Sequence, residues 1–439
     1  MTEELIAWAE GREIGRVNRT TRGRLSFRYE RDWQEADDAY PLSLSMPLAA
    51  QEHGPTQVEA YLWGLLPDNG YVLERWAKNF QVSARNAFAL LSTVGEDCAG
   101  AVQFVRPERL DVLKRGEGQV EWLSEADIAA RLQALRTDHA AWRLQSDMGQ
   151  FSLAGAQPKT ALLYENGRWG IPSGDIPTTH ILKPPTGRFD GHAENEHVCL
   201  SLGRALGMPA AETRVLKFGD EVAIVVTRYD RIRRNNRLTR VHQEDVCQAL
   251  GLMPARKYQN DGGPGIKDIV ELLRLHSSAR DEDVESFIDA VAFNWLIAGT
   301  DAHAKNYSLL IGSGRRVRLA PLYDVASILP YDDFDLKKVR LSMKIGGEYR
   351  IRDIDLGEWQ KLARDVRVDS DKLIERIADL AKRIPDELAK IRSSTKKDGL
   401  DQPIIERLVA RMTDRAAQCL KTLASAGKAA LSAAGRSDG

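Results

Sequence analysis

Cysteine is scarce in this chain and never paired at short spacing: Cys98, Cys199, Cys247 and Cys419 stand far apart. That excludes a small disulfide-framed domain and a CxxC zinc module, and it fits a reducing compartment. An excess of one charge is also lacking. Lys and Arg number 62 against 63 Asp and Glu, a net charge of −1, so no global field draws the chain to nucleic acid or to a membrane surface. Contact with DNA would have to come from a local patch. No apolar run approaches the ~18 residues that a spanning helix needs. The acidic start, MTEELIAWAE, has no charged-then-apolar leader. The expectation is a cytoplasmic protein with no membrane partner. No internal repeat is present. What remains is ordinary globular material: 439 residues, 43% hydrophobic and 28% charged, enough for two or three domains.

Residues 1–105 read as a small α/β unit. Strands are expected at 5–8, 14–17 and 25–29, and a helix at 58–66 that stops at the turn Pro67-Asp68-Asn69-Gly70. Residues 106–149 read as a charged, mostly helical bridge, with its helix at 126–135. From 150 to 243 the pattern is strand-rich. Runs at 160–164 and 169–171 flank Glu165-Asn166-Gly167, a hairpin signal. A strand at 178–182 ends on Lys183, a helix follows at 193–206, and two strands at 213–217 and 222–228 turn at Gly219-Asp220. Residues 244–423 read as mainly helical. One amphipathic helix at 282–298 ends at Gly299, a second carrying Leu373 to Ile384 is expected to stop at Pro385, and a third begins at Pro403. The Ala/Gly/Ser-rich segment 424–439 reads as a disordered tail.

Phosphoryl transfer needs a carboxylate to position and accept the proton of the attacking hydroxyl, with oxygen ligands for Mg²⁺ close by. In protein kinases an Asp and an Asn five residues on supply the base and one ligand. Asp301 and Asn306 have that spacing, in Thr300-Asp301-Ala302-His303-Ala304-Lys305-Asn306. A strand pair at 307–311 and 316–320 then delivers Asp324, within Leu322-Tyr323-Asp324, as a second oxygen ligand. Taken singly, an Asp after a helix is more often a cap or turn residue, and Asp-x4-Asn recurs by chance. The position of the third residue is what joins them.

Lys183 at a strand end can reach ATP phosphates, held by a Glu on the next helix; of Glu194 and Glu196 the second is favoured. The loop Ser152-Leu153-Ala154-Gly155-Ala156-Gln157-Pro158-Lys159 is rich in small residues that let backbone amides approach phosphate, although it matches neither a Walker A motif nor GxGxxG. An ordinary turn fits it as well. His192 and His197 lack metal-ligand spacing. Arg231, Arg233, Arg234, Arg237 and Arg240 around Asn235-Asn236 read as a solvated hairpin tip.

The ordered segments FSLAGAQPKTALL, THILKPP, NEHVCL, TRYDR, QEDVCQ, KYQNDGGPG, NWLIAGTDAHAKNYS and PLYDVAS resemble those of the HipA family, the serine/threonine kinase toxins of bacterial HipBA toxin–antitoxin modules. PLSLSMPL, LWGLLPDN and VGEDCAGAVQ resemble that family's N-terminal subdomain, so the likeness spans about residues 5–420. It implies an α+β, two-lobed protein-kinase-like fold with a small N-terminal α/β subdomain and a mainly helical C-terminal lobe. It implies that Asp301 is the proton acceptor, Asn306 and Asp324 the Mg²⁺ ligands, and Lys183 a contact to the ATP phosphates. Ala154, Gly155, Ala156, Gln157, Pro158 and Lys159 would form the phosphate loop. His303, Ala304, Lys305, Asn306 and Tyr323 would add nucleotide contacts, and Thr227, Arg228 and Tyr229 would be the hinge strand beside adenine. Ser152 matches the serine that these kinases autophosphorylate. Pro158, Ala302 and Thr227 depart from residues common in the family, while the ligand set is intact.

The same resemblance implies an aminoacyl-tRNA synthetase as substrate, best known for glutamyl-tRNA synthetase, with slowed translation and growth arrest or persistence. It also implies a HipB-like helix-turn-helix antitoxin as partner, and through it operator DNA. Two other readings stay open at this point: a small-molecule phosphotransferase of the aminoglycoside or sugar kinase type, and a non-catalytic corepressor.

Overall fold

The computed structural model describes residues 3–138, 141, 151–185, 191–235 and 237–434, the last ten of these by backbone alone. These residues fall into two compact units. The first is drawn from Met1–Thr186, Glu212–Lys257 and Ser308–Ala320, the second from Gly187–Ala211, Tyr258–Tyr307 and Pro321–Gly439.

In the first unit the chain opens with a five-stranded antiparallel sheet in the order Glu52–His53, Leu25–Tyr29, Arg12–Arg19, Glu3–Ala9, Gln103–Val105. The three strands expected at 5–8, 14–17 and 25–29 form, and Glu52–His53 and Gln103–Val105 add two that the apolar runs did not show. A six-stranded sheet follows, in the order Thr213–Phe218, Glu221–Thr227, His180–Lys183, Thr160–Glu165, Arg168–Pro172, Val120–Leu123. The hairpin at Asn166-Gly167 turns through positive φ at both residues, 52° and 78°, the backbone that Asn and Gly tolerate best.

The strand Val120–Leu123 lies inside what reads as a helical bridge, and it adds an edge to the sheet by pairing with Arg168–Pro172. The helix that follows, Glu125–Thr137, starts on a reciprocal Ser124/Asp127 cap. Its Ile128 and Leu132 pack on Leu162, Ile171, Leu182, Phe218, Ala223 and Val225 of the sheet. The rest of the expected bridge, 139–149, lies outside the described residues apart from Ala141.

Beyond residue 243 the chain is less helical than expected. His242–Asp245 pairs with Ser308–Gly312, which pairs with Arg316–Leu319, and this three-stranded sheet belongs to the first unit.

The N-terminal segment and the later strands of this unit share one buried ion cluster. Asp97 Oδ1 accepts from Arg231 Nη2 at 2.8 Å and from Arg240 Nε at 3.3 Å, while Oδ2 accepts from Thr178 Oγ1 at 2.6 Å and Arg228 Nη1 at 3.4 Å. Asp230 accepts from Arg228 Nε and Nη2 at 3.0 and 2.8 Å and from the Gly100 amide at 2.8 Å. Asp175 lies 3.7 Å from Arg240. Three guanidiniums thus face three carboxylates. Burial alone would push the Asp97 carboxyl up, but Arg231, Arg228 and Arg240 override it and hold the group well below the usual carboxylate range.

Arg231 is therefore buried and Arg240 nearly so, and only Arg233, Arg234 and Arg237 of the expected solvated tip are exposed. Spacing could not show this, because the partner of Arg231 lies 134 residues away. A second lock joins Glu244, which accepts from the Leu44 amide at 2.7 Å; burial pushes its carboxyl up to about 8.

The second unit is built on helices: His192–Ala205, Ile266–His276, Arg280–Ile297, Leu356–Asp365, Ser370–Lys397 and Pro403–Ala434. The first of these groups with the helical unit rather than with the strands that flank it in sequence. Arg280–Ile297 carries Asp281, Glu282 and Asp283 in its first turn, which suits the positive end of the helix dipole. Trp295 packs edge-on against Trp359 at 5.4 Å.

Pro385 does not stop its helix, which continues to Lys397. Buried residues lie on both sides of it, Ile377, Leu380, Ala381 and Ile384 before and Leu388 after, so packing outweighs the ~3 kcal/mol that an interior proline costs. The last helix likewise runs to Ala434 through the segment read as a tail, in keeping with the high helix propensity of alanine; 435–439 lie outside the described residues. Among the described residues no helix is long and apolar enough to cross a membrane.

Replacing Asp97 by Ala removes the carboxylate that three arginines of the buried cluster share and leaves their charge under-compensated. The expected cost is about 3–5 kcal/mol, read as a lower urea midpoint. A loss under ~1 kcal/mol would mean that the cluster does not hold the unit together.

Candidate functional site

The candidate residues divide between the two units, and each set has its own geometry. In the first unit Lys183 follows Leu182, whose side chain enters the core against the Glu125–Thr137 helix. Side chains alternate along a strand, so Lys183 leaves on the opposite face. It is buried.

The loop 152–159 is tied down from the N-terminal segment. The Ser152 amide donates to the Asp97 carbonyl at 3.0 Å and Ser152 Oγ donates to the Leu65 carbonyl at 2.8 Å. The Gly155 carbonyl accepts from the Asp68 amide at 3.0 Å, and Asp68 in turn holds Lys257 Nζ at 3.0 Å. Gly155 has φ +103°, and a Cβ there would stand 2.6 Å from Lys159 Nζ, which itself donates to the Ala154 carbonyl at 2.6 Å. Among the described residues the amides of Ala156 and Gln157 donate to nothing else, which leaves them free for an incoming acceptor. Ser152 is fully buried. While the loop stays in this place its hydroxyl cannot receive a phosphate.

Of the expected hinge residues, the Thr227 amide donates to the Glu212 carbonyl and the Arg228 amide to the Thr179 carbonyl, both at 2.9 Å. The Arg228 side chain serves the ion cluster, and Tyr229 Oη donates to Gln243 Oε1 at 2.5 Å.

In the second unit the Arg280–Ile297 helix ends with Ala298, not Gly299, in the left-handed region, at φ +53°. Gly299 is needed for a different reason, since a Cβ there would stand 2.3 Å from Asn294 Oδ1. Past this turn the chain is held tightly. The Asp301 carbonyl accepts from the His303 amide at 2.8 Å and from Asn306 Nδ2 at 2.7 Å. With its nitrogen committed, the Asn306 amide presents Oδ1 as the remaining ligand atom, a hard oxygen of the kind Mg²⁺ takes.

The Asp301 side chain is 70% exposed, with His303 Nε2 at 3.9 Å. His303, Ala304, Lys305 and Asn306 are all buried. Tyr323 Oη donates to the Lys305 carbonyl at 2.6 Å. Asp324, one residue on, has φ +56°, a left-handed backbone that a non-glycine residue adopts at a cost. Among the described residues no group of three or more His, Cys, Asp or Glu is placed to hold a metal by itself.

The structure also brings in residues that the sequence reading passed over. Asn195, between Glu194 and Glu196, is fully buried; its Nδ2 donates to the Ser327 carbonyl at 2.7 Å and its Oδ1 accepts from the Ser327 amide at 3.0 Å. It thereby pins the segment that follows Asp324. Asp97 holds the amide of Ser152, and Tyr258 donates to the Asp301 carboxylate at 2.7 Å. All three sit in the ordered motifs NEHVCL, VGEDCAGAVQ and KYQNDGGPG. That placement was the one signal available, and it did not say what each residue does.

Comparison with known proteins agrees along most of the chain. The HipA N-terminal domain profile matches residues 5–105 and the HipA-like C-terminal domain profile residues 151–388. The chain is 35% identical over 417 residues to Y4mE of Sinorhizobium fredii, which is named as a kinase, covering 94% of this chain and 97% of that protein. It is 30% identical over 384 residues to the serine/threonine-protein kinase toxin HipA of Shewanella oneidensis, covering 84% of each. The solved Shewanella oneidensis HipA, in complex with HipB and operator DNA, superposes with a TM-score of 0.81 at 25% identity over 95% of this chain and 97% of that one. The fold is thus the mixed α+β, kinase-like fold of that HipA.

The left-handed backbone at 324 makes a direct prediction. Asp324→Gly should be more stable than Asp324→Ala by about 1 kcal/mol, since both lose the carboxylate but only glycine escapes the backbone cost. Thermal unfolding of the two variants measures it; equal midpoints would mean that the backbone at 324 is not strained.

Proposed function

This chain belongs to the HipA family, and from that premise we propose that it is an ATP-dependent serine/threonine protein kinase acting as the toxin of a toxin–antitoxin module. The observation that carries the reading is the 300–306 loop, in which an exposed carboxylate stands on a backbone clamped by the nitrogen of Asn306, which leaves the Asn306 amide oxygen as a ligand atom. Such a loop suits positioning and proton acceptance, which is most of what phosphoryl transfer asks of a protein.

In this reading Asp301 aligns the hydroxyl of a target Ser or Thr and takes its proton. Asn306 Oδ1 and the Asp324 carboxylate would hold Mg²⁺, and two oxygen ligands suffice where phosphate oxygens and water complete the shell. Bound Mg²⁺ supplies neutralisation of the phosphate charge. Lys183 adds a cation toward the ATP phosphates, and the free amides of Ala156 and Gln157 suit a phosphate acceptor. His303, Ala304, Lys305 and Tyr323 line the nucleotide side, with Thr227, Arg228 and Tyr229 beside adenine. As two backbone amides there are already donated, carbonyl groups would do the reading.

The acceptor we assign is an aminoacyl-tRNA synthetase, glutamyl-tRNA synthetase first, with inhibited translation and growth arrest as the outcome. The partner is a HipB-like antitoxin that carries the chain to operator DNA; the relative solved with HipB and operator DNA supports it. The absence of a net basic charge fits DNA contact made through that partner.

Ser152 would be the autophosphorylation site. Its buried hydroxyl lies against the Leu65 carbonyl with no room for a phosphate, and the added charge of about −1.5 to −2 would face that carbonyl oxygen. Modification would therefore hold the loop out of its seat and weaken ATP binding.

Two measurements test this. Asp301→Asn should bind ATP as tightly as the wild type and lose transfer by ~10²-fold or more; unchanged transfer would remove Asp301 from the mechanism. Chain phosphorylated on Ser152 should bind ATP more weakly than unmodified chain in a calorimetric titration, and equal affinities would refute the self-inactivation.

A further inference from the structure

The motif KYQNDGGPG has no part in the mechanism described so far, yet its tyrosine touches the proposed base. Tyr258 Oη donates to Asp301 Oδ1 at 2.7 Å, and its ring meets His303 edge-on at 4.9 Å. The motif's other residues shape the loop that delivers it. The Tyr258 carbonyl accepts from the amides of Asp261 and Gly263, both at 3.0 Å, across a left-handed Gly262 at φ +81°. Gln259 Oε1 accepts from the Lys344 amide at 2.7 Å, in the strand Arg340–Ile345. The same strand's Ser342 Oγ donates to the Thr300 carbonyl at 2.7 Å. One strand therefore holds both the Tyr258 loop and the Asp301 loop and fixes the span between them.

We propose that Tyr258 is a positioning residue for Asp301: its phenol fixes Oδ1 and leaves Oδ2 to face the acceptor hydroxyl. This rests on the reading of Asp301 as proton acceptor. A carboxylate that is 70% exposed has little packing to choose its rotamer. Transfer needs the reacting atoms within about 3–3.5 Å and aligned, and an error of ~1 Å can cost ~10²-fold. A carboxylate accepts at two oxygens, so holding one orients the other. The rival role for the phenol is a placeholder, sitting on the base until a substrate hydroxyl displaces it. The two roles give opposite results when the hydroxyl is removed.

The test uses the full chain, γ-labelled ATP with Mg²⁺, and total soluble cell protein as the acceptor. Tyr258→Phe keeps the ring against His303 and removes only the hydroxyl. Its apparent kcat should fall by about 10- to 100-fold with ATP KM and unfolding midpoint unchanged. Tyr258→Phe combined with Asp301→Asn should be no slower than Asp301→Asn alone. Wild-type or higher kcat in Tyr258→Phe overturns the proposal, as does a loss that tracks a raised ATP KM or a lowered midpoint. Full transfer by Asp301→Asn, or none by the wild type, would instead overturn the reading of Asp301 on which the proposal stands.

Discussion

Asp97 carries the first unit. A lone carboxylate in this buried place would be costly, and so would any one of Arg228, Arg231 and Arg240. Together, with Asp230, Asp175, Thr178 and the carbonyls of Cys98 and Gly100, they satisfy most of one another's hydrogen-bonding capacity. Such a cluster contributes modestly to stability and strongly to the choice of one arrangement, because any other would leave a charge unpaired. The consequence reaches the phosphate-loop candidate. The residue whose carboxylate gathers the arginines offers its carbonyl to the Ser152 amide, and Leu65 and Asp68 of the same N-terminal segment take up Ser152 Oγ and the Gly155 carbonyl. The N-terminal residues are thus part of the scaffold of the loop, not an appendage to it.

The second unit solves a different problem, which is how to keep a carboxylate exposed and still ordered. Backbone and side chain are held separately. Asn306 and His303 fix the Asp301 carbonyl, Ser342 fixes the preceding carbonyl, and Tyr258 fixes one carboxylate oxygen. On the other side, Asn195 grips both polar groups of the Ser327 backbone, and Ser327 Oγ donates to the Ile297 carbonyl at 2.5 Å. The segment after Asp324 is so tied to the end of the helix that leads into Asp301. A left-handed Asp324 persists because its surroundings are fixed, which is the usual condition for backbone strain to survive.

The sequence made local structure plain wherever the signal was local. The hairpin at Asn166-Gly167, the turn at Gly219-Asp220 and the helix from Arg280 to Ile297 all form as their patterns predict, although that helix is buried on every side from Ala290 to Ile297 and not amphipathic there. Proximity of Asp301, Asn306 and Asp324 in the chain was visible for the same reason. What could not be read depended on distant partners. Pro385 continues its helix because Leu388 is buried, Arg231 is buried because Asp97 awaits it, and the strand Val120–Leu123 exists because Arg168–Pro172 offers an edge. Asn195 and Tyr258 looked unremarkable for the same reason. Each has a polar group whose partner is more than 40 residues away, at Ser327 and Asp301.

The central claim is that this chain transfers phosphate from ATP to a protein hydroxyl. The most direct measurement incubates it with γ-labelled ATP and Mg²⁺, offering aminoacyl-tRNA synthetases, glutamyl-tRNA synthetase among them, beside a panel of aminoglycosides. The account predicts Mg²⁺-dependent label on a serine or threonine of a synthetase and none on the small molecules. Label confined to an aminoglycoside, or no label on any protein, would contradict it.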